Sequence, residues 1–161
     1  MLRAILIGLL GGCALLACAD ADEGPPPRKP GLWEMTMTPE AGASKSMRLC
    51  VDEATEAQMM ALGPTKGENC KSHQAHREGA TFVMDSVCEI MGSEQTSHSV
   101  TTYDGDGAYR TVIEAHYNPP FLGKAATTLT QTGKWLGDCG ADLKPGEALV
   151  NGVRINALRR P

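Results

Sequence analysis

Alternating apolar and polar positions dominate the chain after residue 30. Between residues 32 and 38, Trp33, Met35 and Met37 fall on one face and polar side chains on the other, which predicts a half-buried β-strand. The same two-residue period predicts six further strands, at residues 46–51, 70–77, 80–90, 94–103, 108–117 and 125–135. The pattern is that of a mainly β protein.

Turn signals connect these strands into hairpins. Glu78-Gly79 predicts one turn, and Asp104-Gly105-Asp106-Gly107 predicts a second with a stronger signal. Asn118-Pro119-Pro120 is expected to end the strand before it, because proline cannot donate to a sheet ladder. Past the last cysteine, the turn residues of Lys144-Pro145-Gly146 and Asn151-Gly152 predict that the tail forms a small hairpin or an irregular extension.

One segment departs from the β pattern. Asp52 is positioned to cap a helix over residues 53–62, which Gly63-Pro64 would end. The chain has only two Trp, three Tyr and two Phe, so its core is expected to be thin. We therefore predict an antiparallel meander that forms a curved sheet or half-open barrel, with one short helix and two disulfides.

The amino-terminal residues have the features of an export signal. Arg3 precedes an apolar run over residues 4–10, and Leu15-Leu16-Ala17-Cys18 resembles a bacterial lipobox. We predict that residues 1–17 are a signal peptide and that Cys18 is lipidated. This places the mature protein in the periplasm or at the outer membrane of a Gram-negative bacterium, with the lipid as its membrane anchor.

Other interpretations of the signal stay open. Lipid could be carried by Cys13, or the chain could be secreted freely after cleavage behind Ala19 or Ala21. Cysteine parity favours Cys18 over Cys13, because lipid on Cys13 would leave Cys18 as an odd thiol. A membrane-spanning helix is not expected, since the apolar run is short and broken by glycines, whereas a span needs about 20 apolar residues.

The rest of the chain divides into a tether, a domain and a tail. Residues 18–30 are charged and rich in proline, which is typical of an extended tether. Residues 31–147 form the predicted β domain, and residues 148–161 form the tail. The formal net charge of −4 and the absence of basic clusters disfavour binding to nucleic acid or to anionic lipid.

Four cysteines follow the signal, and in an oxidising compartment they are expected to form disulfides. Of the three possible pairings, a tight turn at Glu78-Gly79 favours Cys70 with Cys88, because it places them opposite each other to within one residue; this leaves Cys50 to pair with Cys139. The chain has no C-x-x-C motif and lacks the cysteine spacings of a zinc module. A metal or redox role for these cysteines is therefore not expected.

The sequence offers no catalytic constellation. His73 and His76 lie three residues apart, so on a strand they face opposite sides and cannot share a metal ion. His98 is expected near Ile113 across the second hairpin, whose Asp and Gly residues indicate a turn and not a calcium loop. There is no G-x-S-x-G elbow and no glycine-rich phosphate loop. We expect no catalytic residues, no metal, no cofactor and no enzyme activity.

Several segments together resemble a known family. They are Lys29-Pro30-Gly31-Leu32-Trp33-Glu34, then Cys50-Val51-Asp52, the pair Cys70 and Cys88, and Gly133-Lys134-Trp135-Leu136-Gly137-Asp138-Cys139. The chain is similar over about residues 29–147 to the bacterial exported DUF3617 family of small envelope proteins. The resemblance implies an exported protein with a signal peptide or lipobox and supplies no catalytic residues. Because family members often stop soon after the last cysteine, the tail is a departure.

Two functions follow as expectations. The first is a non-enzymatic envelope protein, a lipid-anchored β-domain with a binding or assembly role and an envelope protein as partner. The alternative is a lipocalin-like carrier of small apolar molecules, because Gly31-Leu32-Trp33 has the G-x-W form that begins lipocalins. A carrier needs an interior cavity, expected here to be lined by Phe82, Met84, Ile113 and Leu129. No ligand-binding residues are otherwise assigned.

Overall fold

The computed structural model describes residues 24–61 and 69–159. The predicted signal peptide, the lipidation site Cys18 with its alternative Cys13, and the predicted helix end at Gly63-Pro64 lie outside these residues. The described residues form one open antiparallel sheet of nine strands and one helix, which confirms the mainly β class. No helix among them is long and apolar enough to cross a membrane.

The helix α1 (Glu53–Ala61) follows the first two strands of the sheet. The strands are β1 (Gly31–Pro39), β2 (Lys45–Val51), β3 (Cys70–Glu78), β4 (Thr81–Ile90), β5 (Ser93–Asp104), β6 (Ala108–Phe121), β7 (Lys124–Gly137), β8 (Glu147–Val150) and β9 (Val153–Asn156). Their spatial order is β3-β4-β5-β6-β7-β1-β2-β8-β9. A five-strand meander is thus followed by β1, which pairs with β7, and β8 and β9 extend the same sheet as a small hairpin.

The two predicted disulfides are present. Cys70 is bonded to Cys88 and Cys50 to Cys139. In the first hairpin Glu78 pairs with Thr81, so the turn lies at Gly79-Ala80, one residue later than predicted. A register shift between Cys70 and Ser72 then brings Cys70 opposite Cys88. The disulfide between Cys70 and Cys88 therefore closes the open end of one hairpin. The disulfide between Cys50 and Cys139 joins β2 to the segment after β7.

The predicted stop at Asn118-Pro119-Pro120 is wrong, because β6 continues to Phe121. Pairing of β6 with β5 ends at Asn118, and pairing with β7 is interrupted between His116 and Phe121. The prolines therefore occupy an irregular stretch in which no ladder bond needs their missing N–H groups. The backbone of β6 therefore stays extended as far as Phe121, although its regular pairing with the neighbouring strands stops before Pro119.

The sheet has two faces, because side chains alternate along every strand. On one face Trp33, Met35, Leu49 and Val51 pack with Ala148, and each is at most 7% exposed. Since Met59 of α1 packs against this cluster, we call this side the helix face and the opposite side the outer face. Through the register, the helix face also carries side chains of β4 to β7, namely Phe82, Met84, Tyr103, Tyr109, Ile113 and Leu129.

The helix begins with a reciprocal cap, as the sequence predicts. The Thr55 N–H donates to Asp52 Oδ1 at 2.8 Å, and the Asp52 N–H donates to Thr55 Oγ1 at 2.8 Å. The bonds from Thr55 lower the pKa of the Asp52 carboxyl below its ordinary value, because they favour the charged form. Glu53 and Glu56 complete an acidic first turn, which complements the helix dipole.

Candidate binding groove on the helix face

The residues before β1 lie against the helix face instead of standing free of it. Residues 24–30, which we call the strap, contain no helix or strand. The Trp33 indole Nε1–H donates to the Lys29 carbonyl at 2.8 Å, and the Trp135 Nε1–H donates to the Pro30 carbonyl at 3.0 Å. Lys29 Nζ also lies 4.1 Å from the centroid of the Trp135 ring. Both tryptophans of the chain therefore hold the end of the strap.

An ion pair between the strap and the helix fixes the strap more firmly. Arg28 Nη2 lies 2.6 Å from Glu56 Oε2, and the side chains are only 16% and 7% exposed. Arg28 Nε donates to both carboxylate oxygens, and the Arg28 backbone N–H donates to Oε1 at 3.0 Å. The sulfurs of Met35 and Met59 complete the surroundings of the guanidinium. A buried charge pair with this many bonds orients its partners closely.

A groove remains between the strap, α1 and the strands β5 and β6. It contains two cavities of about 220 and 240 Å³ that share Pro26, Arg28, Tyr103 and Tyr109 as lining residues. The first cavity is also lined by Met59, Met60, Thr101 and Thr111, and the second by Trp33, Arg77, Gly105 and Asp106. Each is smaller than the pocket of about 300–1,000 Å³ that usually holds a drug-sized ligand.

The groove is aromatic and close to neutral. Burial raises the pKa of Tyr103 and of Tyr109 above the ordinary value, so both phenols stay protonated at neutral pH. The Tyr109 hydroxyl accepts a hydrogen bond from Gln131 Nε2 at 2.9 Å. Arg28 and Glu56 neutralise each other, and the second cavity has one further charge of each sign, on Arg77 and Asp106. The rest of the surface offered to a ligand consists of rings, methionine side chains and hydroxyl groups.

The residues predicted to line a carrier cavity lie elsewhere on the same face. Phe82 is buried, and Met84, Ile113 and Leu129 are half-buried beside it. None of the four lines either cavity of the groove. The sheet is open, so these side chains do not face a closed cup. No observation favours the carrier over a binding surface of another kind.

The histidines are separated by the sheet. His73 is on the helix face and approaches the Met84 sulfur, whereas His76 is on the outer face. The predicted pairing of His98 near Ile113 is off by one residue, because Asp104 pairs with Ala108 around a three-residue turn and His98 faces Glu114. No three His, Cys, Asp or Glu side chains in the described ranges lie close enough together to hold a metal ion.

A polar cluster forms on the outer face around this histidine. His98 Nδ1 lies 2.7 Å from Asp85 Oδ1, and both side chains are about half exposed. A shallow cavity of about 220 Å³ is lined there by His98, Asp85, Glu114 and His116 among others. An exposed pair of this kind is well solvated, so its ion pairing contributes little to stability.

Sequence reasoning missed the groove, although one signal pointed to it. Tyr103 and Tyr109 flank the Asp-Gly turn, and a turn of three residues, one fewer than the sequence predicts, pairs them directly. Arg28 and Glu56 had no such signal. They lie 28 residues apart, in a proline-rich segment and on a helix, and only packing brings them together.

Comparison with known proteins identifies one relationship. A family model described as a protein of unknown function, DUF3617, matches residues 28–139, which is more than half of the chain. The match begins at Arg28 and ends at Cys139, so it includes the strap arginine and all four disulfide cysteines. No curated protein and no solved structure matches the chain.

Proposed function

The chain belongs to the DUF3617 family of proteins of unknown function, and we propose that it is a non-enzymatic exported protein of the bacterial envelope. In this proposal residues 1–17 direct export, and lipid on Cys18 anchors the mature protein to a membrane. Two disulfides suit the oxidising compartment that export implies. The lack of a nucleophile elbow and of a phosphate loop in the sequence supports a role without catalysis.

The docked strap is the observation that carries the proposal. Arg28 attaches the end of the tether to α1, and Gly24 is only six positions after Cys18 in the chain. An extended chain of that length spans at most about 20 Å. A lipid on Cys18 would therefore keep the groove close to the membrane surface, with Tyr103 and Tyr109 available to a neighbour. Such an arrangement suits binding or assembly at an envelope surface.

The partner proposed for the groove is an extended segment of another envelope protein. Two small adjoining cavities lined by aromatic rings can receive single apolar side chains, and their size does not suit a whole carried ligand. The strap already supplies such groups, since Pro25, Pro26 and Pro27 line the same cavities. Proline-rich segments commonly bind to grooves lined by aromatic rings.

Intact-mass analysis of the protein isolated from a bacterial envelope tests the anchoring. We expect a chain that begins at Cys18, carries lipid and has four oxidised cysteines. A mass that corresponds to an unlipidated chain starting after Ala19 or Ala21 would replace the anchor with free secretion. A mass that retains residues 1–17 would reject export by this signal.

Photo-crosslinking in living cells tests the binding role. A photoreactive phenylalanine analogue at Tyr103 is expected to give an adduct with one envelope protein, and Tyr109→Ala is expected to abolish it. The matched control has the analogue at Val112, which lies on the outer face and should give no such adduct. An adduct with lipid instead of protein would favour the carrier, and equal adducts from both positions would reject the groove.

A further inference from the structure

Two turns at one end of the sheet present apolar side chains to solvent. Met91 lies in the two-residue turn between β4 and β5 and is 91% exposed, and Leu122 lies in the turn between β6 and β7 and is 85% exposed. These two residues, which we call the apolar tips, are the most exposed large apolar side chains in the described parts of the chain. Neither contributes to the core.

The backbone at the apolar tips disfavours the residues found there. Met91 has φ of 49° and Leu122 has φ of 48°, both in the left-handed region that suits Asn, Asp or Gly. The turn between β8 and β9 provides a comparison within the same protein, because Asn151 occupies the equivalent position with φ of 51°. Met91 and Leu122 therefore neither pack in the core nor suit the backbone of their turns.

Both apolar tips lie at the same end of the sheet. Glu94, which is three residues after Met91, pairs with Asn118, which is four residues before Leu122. Two strand spacings separate the hairpins, which is about 10 Å. The turns at the opposite end are small or polar, at Gly79-Ala80 and at residues 105–107. Among these four turns, the two that present large apolar side chains lie at the same end of the sheet.

The side chains around the apolar tips suit an interface between water and lipid. Tyr117 and Phe121 lie just below Leu122, with ring centroids 5.6 Å apart, and aromatic residues favour the headgroup level of a bilayer. Lys124 follows the same turn and can reach phosphate groups with its stem in apolar surroundings. Lys71 forms an ion pair with Glu94.

Glu89 adds one further negative charge near this end of β4, which leaves the local charge close to balanced. The chain as a whole has a net charge of −4, so attraction to an anionic surface is not the driving force. Apolar insertion is the interaction that remains, and it does not require a charged lipid.

We propose that Met91 and Leu122 insert together into the surface of a zwitterionic phospholipid bilayer. This contact goes beyond the anchor on Cys18 and does not depend on it. Because the apolar tips lie at the end of the sheet remote from the strap, the bilayer that they enter is a different surface from the one that would hold the Cys18 lipid. If the apolar tips instead bind an apolar site on a protein partner, the protein should have no affinity for vesicles of pure lipid.

Vesicle flotation tests the proposal with the mature chain from residue 18 onward, carrying Cys18→Ser so that no lipid is attached. The double variant Met91→Asn and Leu122→Asn is expected to partition at least 10-fold less into phosphatidylcholine vesicles. Because Asn suits a left-handed turn, its thermal unfolding should not move to lower temperature. Val153→Asn, at a strand position 62% exposed, is the matched control and should partition normally. Equal partition of all three proteins would overturn the proposal.

Site-specific quenching tests the same contact at the residue level. Leu122→Trp is expected to show blue-shifted emission and quenching by brominated phosphatidylcholine. Glu78→Trp, at an exposed position at the opposite end of the sheet, should show neither effect, and both variants share the background of Trp33 and Trp135. Quenching that is equal in the two variants, or absent from Leu122→Trp, would rule out insertion of this end.

Discussion

Beneath α1, the strands β1, β2, β7 and β8 contribute to a cluster of apolar side chains. In contrast, β4 and β5 bury mainly hydroxyl groups, and β3 at the sheet edge has no fully buried side chain. We call these regions the core half and the ladder half. In the core half Trp33 is 2% exposed, and Leu49 and Val51 are as deeply buried. In the ladder half the buried polar side chains are Ser86, Ser93, Ser99 and Thr101, and Phe82 is the one large apolar side chain buried there.

Hydroxyl pairing accounts for the ladder half. Ser86 Oγ and Ser97 Oγ lie 2.7 Å apart on neighbouring strands, and Thr101 Oγ1 lies 2.8 Å from Thr111 Oγ1. Within the described residues no buried side-chain nitrogen or oxygen lacks a partner. Satisfied hydroxyls contribute little net free energy, so backbone ladders and the bond between Cys70 and Cys88 must stabilise this half. The comparison teaches that one short helix is enough to cover this sheet, because the strands that the helix does not cover carry hydroxyl groups that pair with one another.

The largest test removes each disulfide. Replacing Cys50 and Cys139 by Ala should lower the free energy of unfolding by about 4–5 kcal/mol, because the bond closes an 89-residue separation. Replacing Cys70 and Cys88, separated by 18 residues, should cost about 3 kcal/mol. Urea unfolding measures both. If the shorter bond proves the more important, the ladder half depends on its disulfide more than loop entropy predicts.

A second test compares one large apolar side chain from each half. Trp33→Ala should cost about 4 kcal/mol, since it opens the cluster and removes the bond to the Lys29 carbonyl. Phe82→Ala should cost about 3 kcal/mol, at the lower end of the range for buried aromatic residues. Thermal unfolding of both variants checks the order. Equal losses would mean that the two halves are packed alike.

The buried charge pair of the core half gives the third test. Arg28→Met should cost about 3 kcal/mol, because it leaves the Glu56 carboxylate buried without its partner. Adding Glu56→Leu should restore most of that loss, since a matched apolar pair has no charge to desolvate. Protease digestion of residues 24–30 should accelerate in the single variant. A double variant as unstable as the single one would contradict this account.

A smaller effect is expected for the hydroxyl pairs of the ladder half. Ser86→Ala should cost about 1 kcal/mol, because the Ser97 hydroxyl loses its partner. The double variant Ser86→Ala and Ser97→Ala should be close to wild type, since no donor is then left unpaired. Chemical unfolding of the two variants distinguishes these cases. Additive losses would show that the hydroxyls stabilise the sheet in their own right.

The smallest effect concerns the helix cap and its dependence on pH. Because the pKa of Asp52 is lowered in the folded protein, its stabilising contribution is complete above the ordinary value of 3.8 and is lost as the pH falls through the lowered value. Asp52→Asn retains a capping side chain without a titrating group. The stability difference between wild type and this variant should therefore shrink between pH 5 and about pH 2. A stability difference that stays constant over that range would show that the negative charge of Asp52 does not stabilise the helix.

Local pattern was sufficient for much of the fold. The period of two predicted the seven main strands, and Asp52 predicted the start of the helix. Turn residues predicted two hairpins of the meander, at residues 78–79 and 104–107, the first of them displaced by one residue. The disulfide partners Cys70 and Cys88 followed from the position of one turn. These features depend on residues close together in the chain, whose geometry is limited by backbone sterics and alternation. The family match over residues 28–139 agrees with the resemblance seen in the sequence.

Only the folded chain decided which distant segments meet. The insertion of β1 between β7 and β2, the ion pair of Arg28 with Glu56 and the placement of Met91 and Leu122 at one end of the sheet join residues that no local pattern connects. Such contacts depend on which sheet edge is free and which surfaces still need cover once the hairpins have formed. Tertiary structure also decided that β6 continues beyond Pro119. The backbone hydrogen bond that a proline cannot donate is not needed there, because neither neighbouring strand pairs with that residue.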